Sequence, residues 1–525
     1  MNTSLAIETL GTEAVKESIL SVLQTILSTL SPTDDITGLS KDQSCRSFHA
    51  LSIILLFIVS LSTPHLSVAA DVELPELGDS SSALISPQKE YELGQKVLKL
   101  YHSQMPTSSD PIIYSYLEQL ITELATHSQL PDKSFDLLVI QNPNINAFAV
   151  PGRIIGVNTG IFLDTENEDQ LSSILAHELA HLSQRHYARQ LQARKSATVP
   201  TLAGILAGIV LAAAGSGDAG MAAIMATQAA AIDNQLRFSR LYEQEADRIG
   251  IQTLALSGRD PYAAGDMFEV MLRESRFSRK PPEFLSTHPI TESRIADARS
   301  RAMQFPKRQY EDNLDYHLVA ARVKLLHSQT PQIAVKRFRS EINGASNSLE
   351  ASRYGLAIAL TATGETQQAR KILQELIDQR PNKLTYALAK ANIDSKEKNF
   401  KSSLNALNKL LKQYPTNHAV NIQFAEVLME AGEYELCQQL LERYSRIQPK
   451  NDYVWYLLAE VHGLVGNILE LHQARAEYFI LNGVYDKADK QLTNALRLVK
   501  KDSREAAMIK QRLIEVKKLQ EDADF

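Results

Sequence analysis

The run Thr165-Glu166-Asn167-Glu168-Asp169-Gln170-Leu171-Ser172-Ser173-Ile174-Leu175-Ala176-His177-Glu178-Leu179-Ala180-His181-Leu182 decides how this chain is read. Its first four residues have the spacing of a capping box. Leu171, Ile174, Leu175 and Leu182 then recur as one inward face of a long helix. His177 and His181 stand one turn apart on that helix, so both imidazoles leave the same face and can share one ion. Glu178 is offset by one position and comes alongside the ion without binding it. Such short patterns also arise by chance on ordinary helices. The helical setting, the β-rich stretch before it and an acidic segment after it favour the metal reading.

The flanking elements follow from similar signals. Ser86-Pro87 and Asp110-Pro111 each pair an N-cap residue with proline at the first helical position. Ile113, Leu117, Leu120, Ile121 and Leu124 give the second of these helices an apolar face. Phe135 to Ile140 reads as a strand, followed by Asn146 to Gly152 and the β-rich run Ile154 to Val157, so a small sheet lies next to the helices.

A catalytic zinc site wants three protein ligands and one open position. A third histidine at short spacing is missing, since Gln184 and Tyr187 stand where glycine and histidine are needed. In Tyr242-Glu243-Gln244-Glu245-Ala246-Asp247, residues 243 and 247 share a helix face. One carboxylate can ligate while the other receives an imidazole N–H, and Glu243 is the better candidate for the ligand. Glu245 points away from that face and is expected in solvent. His186, five residues past His181, projects off the ligand face and reads as structural.

From about residue 316 the chain is periodic. Pro381, Pro415 and Pro449 keep one step, and Ala357, Ala391, Ala425 and Ala459 keep the same one. Leu373, Leu407 and Leu441 do likewise, while Gly364, Lys398, Gly432 and Gly466 share a turn position. Small residues at a helix crossing and proline at the repeat end, with a period of about 34, resemble the tetratricopeptide repeat. Cys437 and Ser403 occupy the small-residue slot of Ala369, which makes Cys437 a packing residue. Such stacks build a concave groove for an extended or helical partner.

With 525 residues, 44% hydrophobic and 22% charged, the chain is a multidomain globular protein and neither disordered nor collagen-like. A net charge of −6 provides no global basic field for nucleic acid. Two cysteines, Cys45 and Cys437, exclude a disulfide framework and a thiolate zinc cage. Residues 51–62 are a short apolar run behind Lys41 and Arg46 that ends in Ser67-Val68-Ala69-Ala70, the pattern of a secretory signal peptide. The long segment ahead of it suggests a later true start, although no methionine lies between Met1 and Met105. Cleavage near Ala70 would leave Cys437 alone. Residues 201–232 are rich in Ala and Gly and too short on either side of Gly215–Gly220 to span a bilayer; two short packed helices are expected rather than a hairpin dipping into lipid.

The histidine motif followed by Arg185-His186, the Glu243-to-Asp247 segment after Ser239-Arg240, and Ser286-Thr287-His288-Pro289 with Arg294 together resemble the zinc endopeptidase family of the CAAX prenyl protease and the heat-shock membrane protease. A signal peptide in front and tetratricopeptide repeats behind are most similar to its soluble periplasmic branch. The resemblance implies a mainly α fold with a small β-sheet, a zincin-type metalloprotease domain followed by an α-solenoid, divided as an extension and signal peptide over 1–70, the protease domain over 71–310 and the repeats over 311–525. It implies His177, His181 and Glu243 as ligands of one zinc ion, Glu178 as catalytic base and Asp247 as support behind the ligands. His288 would either donate to the oxyanion or plug the open zinc position, in preference to serving as a packed structural histidine. Arg294 would hold the same loop or an acidic neighbour. Asn146 to Gly152 would be the substrate-side edge strand, with Arg153 where a second glycine is common. The implied clients and partners are unfolded or stalled outer-membrane β-barrel proteins and the barrel-assembly machinery, met in the periplasm with peripheral membrane contact. A latent or non-proteolytic chaperone or adaptor is the alternative.

Overall fold

A computed structural model describes residues 85–193, 240–277, 283–344 and 346–522. The apolar run at 51–62 with its cleavage site and the Ala/Gly-rich stretch at 201–232 lie outside the described residues.

Helices α1 (Pro87–Gln104) and α2 (Pro111–His127) come first among the described residues, capped by the side chains of Ser86 and Asp110 ahead of their prolines. Strands β1 (Asp136–Ile140), β2 (Ala147–Val150) and β3 (Ile154–Asn158) form one sheet in the order β1-β3-β2. β3 runs parallel to β1 and antiparallel to β2. The turn between β2 and β3 places Gly152 and Arg153 at positive φ, 83° and 65°, so the arginine takes a conformation its neighbour gets without cost.

After α3 (Ile161–Asp164) comes α4 (Glu168–Ser183), which carries the histidine motif. Its N-cap is Asn167, two residues later than the sequence suggests. The Thr165 hydroxyl is engaged instead by Ile161 O and by Tyr316, 151 residues away. Asn167 accepts from the Gln170 N–H, while the Gln170 side chain accepts from the Glu166 N–H, so the reciprocal cap survives in a shifted frame. Helices α5 (His186–Ala193), α6 (Arg240–Leu256), α7 (Ala263–Phe277), α8 (Glu283–Thr287) and α9 (Glu292–Ala302) complete this part.

Antiparallel helix pairs follow, among them 349–363 with 366–379, 384–396 with 400–413, and 418–430 with 434–447. Ala357, Ala391, Ala425 and Ala459 are buried at the crossings. Gly364, Lys398, Gly432 and Gly466 all have positive φ at the turns. In the shared small-residue slot the Ser403 hydroxyl donates to Ala391 O, and the buried Cys437 thiol donates to Ala425 O. Hydroxyl and thiol therefore do the same packing job one repeat apart.

The repeats do not stand free of the protease part. One hydrophobic core runs from Ile112, Leu117 and Leu120 on α2 through Leu171 and Leu175 on α4 to Leu388, Leu407 and Val420 in the repeats. Arg322 grips Asp110 with two nitrogens, and the Ala419 N–H donates to the Ser115 hydroxyl. At the far end Lys96 of α1 donates to Asp522 O. The solenoid thus leaves α2 and returns to α1.

A shared core makes the two parts one cooperative unit. Leu388→Ala, deep in the repeats, should cost about 2–5 kcal/mol and lower the unfolding midpoint of the protease part equally. Denaturant unfolding followed by separate probes on the two parts checks this; a repeat transition that shifts alone contradicts it.

Candidate metal centre

α4 and α6 lie against each other where α6 has no side chain. A Cβ on Gly250 would sit 3.1 Å from the His177 backbone nitrogen, so glycine permits this approach. That contact brings Glu243 and Asp247, one turn apart on α6, against His177 and His181, one turn apart on α4. His288, just past α8, completes the group. The ligand-type atoms of His177, His181, Glu243 and His288 all lie within 4.8 Å of one another, and all four residues are buried.

The hydrogen-bond relay decides which nitrogen faces inward. His186 Nε2 donates to the Glu245 carboxylate at 3.1 Å, which leaves its Nδ1 to accept from His181 Nδ1 at 2.8 Å. His181 Nε2 therefore presents a lone pair to the cluster. His177 turns Nδ1 to Asp247, 2.9 Å away, and directs Nε2 to within 2.9 Å of His181 Nε2. Glu243 lies 3.4 Å from both Nε2 atoms. Two imidazole nitrogens and a carboxylate aimed at one point repel unless a proton or a metal ion stands between them. The donor set is of the kind that holds zinc.

Burial opposes charge on His177, but the Asp247 and Glu243 carboxylates outweigh it and push its pKa up to about 10. Burial drives His181 well below the ordinary histidine range. Burial also opposes ionisation of Glu243, yet His288 and His177 hold its carboxyl well below the usual range. For Glu178 burial prevails and raises the pKa.

Glu178 is buried at the cluster's edge, its Oε2 accepting from the Ala149 N–H of β2 at 3.0 Å and its Oε1 3.5 Å from His288 Nε2. His288 Nδ1 lies 3.1 Å from Glu243 and 3.4 Å from His177 Nε2, so this ring spans the gap between the ligand group and Glu178. Arg294 of α9 donates twice to Asp247 at 2.7 Å, lies 3.0 Å from Glu243 and donates to Pro289 O. One guanidinium therefore fixes α6 and the His288 segment together. Beside the cluster a cleft of about 110 Å³ is lined by Phe148, Val150, Leu130, Leu182 and Tyr187.

The expectation of a solvated Glu245 is corrected here. It receives His186 and Arg189, 2.9 Å away, and supports His181 through the first of these. The reason is local. Arg185 adopts φ 48°, which separates α5 from α4 and swings the His186 ring back onto His181. A continuous helix would have carried that ring away. His186 stands outside the cluster of His177, His181, Glu243 and His288 and orients the His181 ring. The Ala149 amide had no side-chain signal by which sequence could find it.

Comparison with known proteins gives the class first. The profile of peptidase family M48 matches residues 113–302, and tetratricopeptide-repeat profiles match 351–383 and 395–461. The chain is a metalloendopeptidase with a helical-repeat domain behind it. It is 32% identical over 471 residues to the β-barrel assembly-enhancing protease of Escherichia coli (strain K12), which covers 90% of this chain and 96% of that one. It is 32% identical over 458 residues to the putative β-barrel assembly-enhancing protease of Vibrio cholerae serotype O1, covering 86% and 94%. The mitochondrial metalloendopeptidase OMA1 of Schizosaccharomyces pombe is 32% identical over 204 residues, 39% of this chain and 55% of that one. The chain belongs to the family of the β-barrel assembly-enhancing proteases.

Two predictions follow from the relay. Asp247→Asn and His186→Ala should each weaken metal affinity about 10–100-fold, as read by chelator competition on folded protein; unchanged affinity in both contradicts the relay. Because Asp247 and Glu243 raise the His177 pKa, a metal ion competes with a proton there and affinity should rise with pH between about pH 7 and 9. A flat profile over that range would show that no proton is displaced.

Proposed function

We propose that this metalloendopeptidase holds one zinc ion through His177, His181 and Glu243 and hydrolyses peptide bonds of unfolded or misassembled envelope proteins. Support for the ligand set comes from one observation, the convergence of two lone-pair Nε2 atoms and a carboxylate in a buried pocket. A bound divalent ion supplies Lewis acidity for attack on a peptide carbonyl. Glu178 takes the proton of the attacking water and delivers it to the leaving amine. Its buried, raised-pKa carboxyl suits a group that must both accept and return a proton. Asp247 keeps the His177 imidazole oriented, and Arg294 keeps Asp247 and Glu243 in place. An extended client pairs along β2, where Ala149 already bonds to the base.

His288 is the switch in this reading. Its ring reaches Glu243 on one side and Glu178 on the other, which supports a latent form in which the ring plugs the open zinc position and swings out for turnover. The latent state is where the chaperone or adaptor reading retains force, because repeats can recruit assembly partners while the cleft is shut.

The clients proposed are stalled outer-membrane β-barrel proteins and the partner is their assembly machinery, in line with what the names of the relatives say of those proteins. The setting is the periplasm, reached by a cleavable signal peptide, with the protease domain over 71–310 and the repeats over 311–525.

Wild type should cleave unfolded casein in a chelator-sensitive way, and Glu178→Gln should lose about 10²–10⁴-fold in rate while keeping its metal. Equal, chelator-insensitive turnover by both removes the proposal. His288→Ala should cleave faster than wild type; an inactive variant would assign the ring to oxyanion stabilisation instead.

A further inference from the structure

The far edge of the sheet carries a second site. β1 runs parallel to β3, with the Asp136 N–H donating to Arg153 O and the Thr159 N–H donating to Ile140 O, so the backbone groups of Leu137 and Val139 point the other way. There a short return of the chain begins to cover them. The Ser108 N–H donates to Val139 O at 2.9 Å, and the Gln141 N–H donates to Pro106 O at 2.8 Å, with Thr107 opposite Ile140. The cover then stops, because Asp110 turns away to cap α2. Ser108 stands opposite Val139, and beyond it no loop or turn backbone bond among the described residues reaches the outward N–H or C=O of Leu137. Although Val139 is buried and Leu137 half-buried, this edge opens into a cleft of about 400 Å³ between β1 and the repeats.

The opposite wall is aromatic. Tyr453 and Tyr456 stack with centroids 5.9 Å apart, and Tyr478 continues the row at 5.9 Å from Tyr456. Tyr456 remains 43% exposed. Carboxylates outnumber cations around the cleft: Asp110, Glu118, Asp136 and Asp452 line it, with Lys450 as the only lysine or arginine in the lining. Asp110 is held by Arg322, Asp136 by Lys450, and Asp452 lies 3.6 Å from His102. Glu118 has no ion-pair partner among the described residues and hydrogen-bonds Gln448; burial raises its pKa, which a cation beside it would reverse.

A half-buried strand edge with outward backbone groups left uncovered is a template for one more strand. We propose that this cleft binds an extended, basic polypeptide segment, which adds antiparallel to β1 in line with Thr107, rests on the tyrosine row and directs a lysine or arginine at Glu118. Main-chain bonds at Leu137 supply affinity for any sequence, and Glu118, the lining carboxylate with no ion pair among the described residues, selects the charge. The site lies on the sheet edge away from Glu178 and does not depend on the metal assignment. It would hold a client, or a stretch of one, between the protease part and the repeats.

The test uses full-length Glu178→Gln protein, which keeps the probe intact, and a fluorescent peptide of alternating Lys with Val or Tyr. Anisotropy compares it with two versions N-methylated on alternate amides in opposite frames. Methylation in one frame should weaken binding about tenfold or more and in the other less than about threefold. Tyr456→Ser and Glu118→Gln should each weaken it about threefold or more, with unfolding midpoints unchanged. Equal loss in both frames, indifference to both substitutions, or no binding at all overturns the proposal. Loss of binding in Ala149→Pro on β2, with Tyr456→Ser unaffected, would place the peptide at the metal cleft and overturn it equally.

Discussion

The whole arrangement rests on three lone-pair donors forced together in a buried place: His177 Nε2, His181 Nε2 and the Glu243 carboxylate. Left alone they repel, and burial removes the water that would screen them. Something positive must sit among them, and the fold is built to keep that requirement in force. Gly250 lets α6 approach the His177 backbone, and Arg294 clamps Asp247, Glu243 and the Pro289 carbonyl at once. The site is strained toward binding a cation, which is what pre-organisation for a metal means physically.

That requirement also orders the surroundings. Asp247 and the His186–Glu245 pair are not in the ligand group, yet each fixes the tautomer of one imidazole so that its basic nitrogen faces inward. Glu178 is kept out of the ligand group by its bond to the Ala149 amide, which leaves a carboxylate at the cluster's rim. The sheet therefore has two unlike edges. β2 meets the metal centre, and β1 meets the repeats across a wide polar and aromatic cleft.

Much of this was legible in the sequence where a short-range rule governs it. The helix that carries His177 and His181, the shared face of Glu243 and Asp247, and the repeat period with its small, apolar and turn positions all follow from spacing alone. Lys398 could be placed at a left-handed turn because Gly364, Gly432 and Gly466 occupy the same register. The misreadings share one cause, contacts made across the fold. Thr165 lost its capping role to Tyr316, 151 residues further along the chain. Glu245 left solvent for His186 because one left-handed residue, Arg185, redirects α5. The common core of α2, α4 and the repeats could not be seen either, since periodicity shows which face is apolar but not what covers it.

The most direct test is anomalous diffraction at the zinc absorption edge on crystals of the full-length, zinc-loaded protein. The account predicts one strong peak about 2.0–2.2 Å from His177 Nε2, His181 Nε2 and a Glu243 oxygen, with Glu178 outside the coordination sphere. A peak lacking Glu243, or an ion bound away from the two imidazoles, would contradict it.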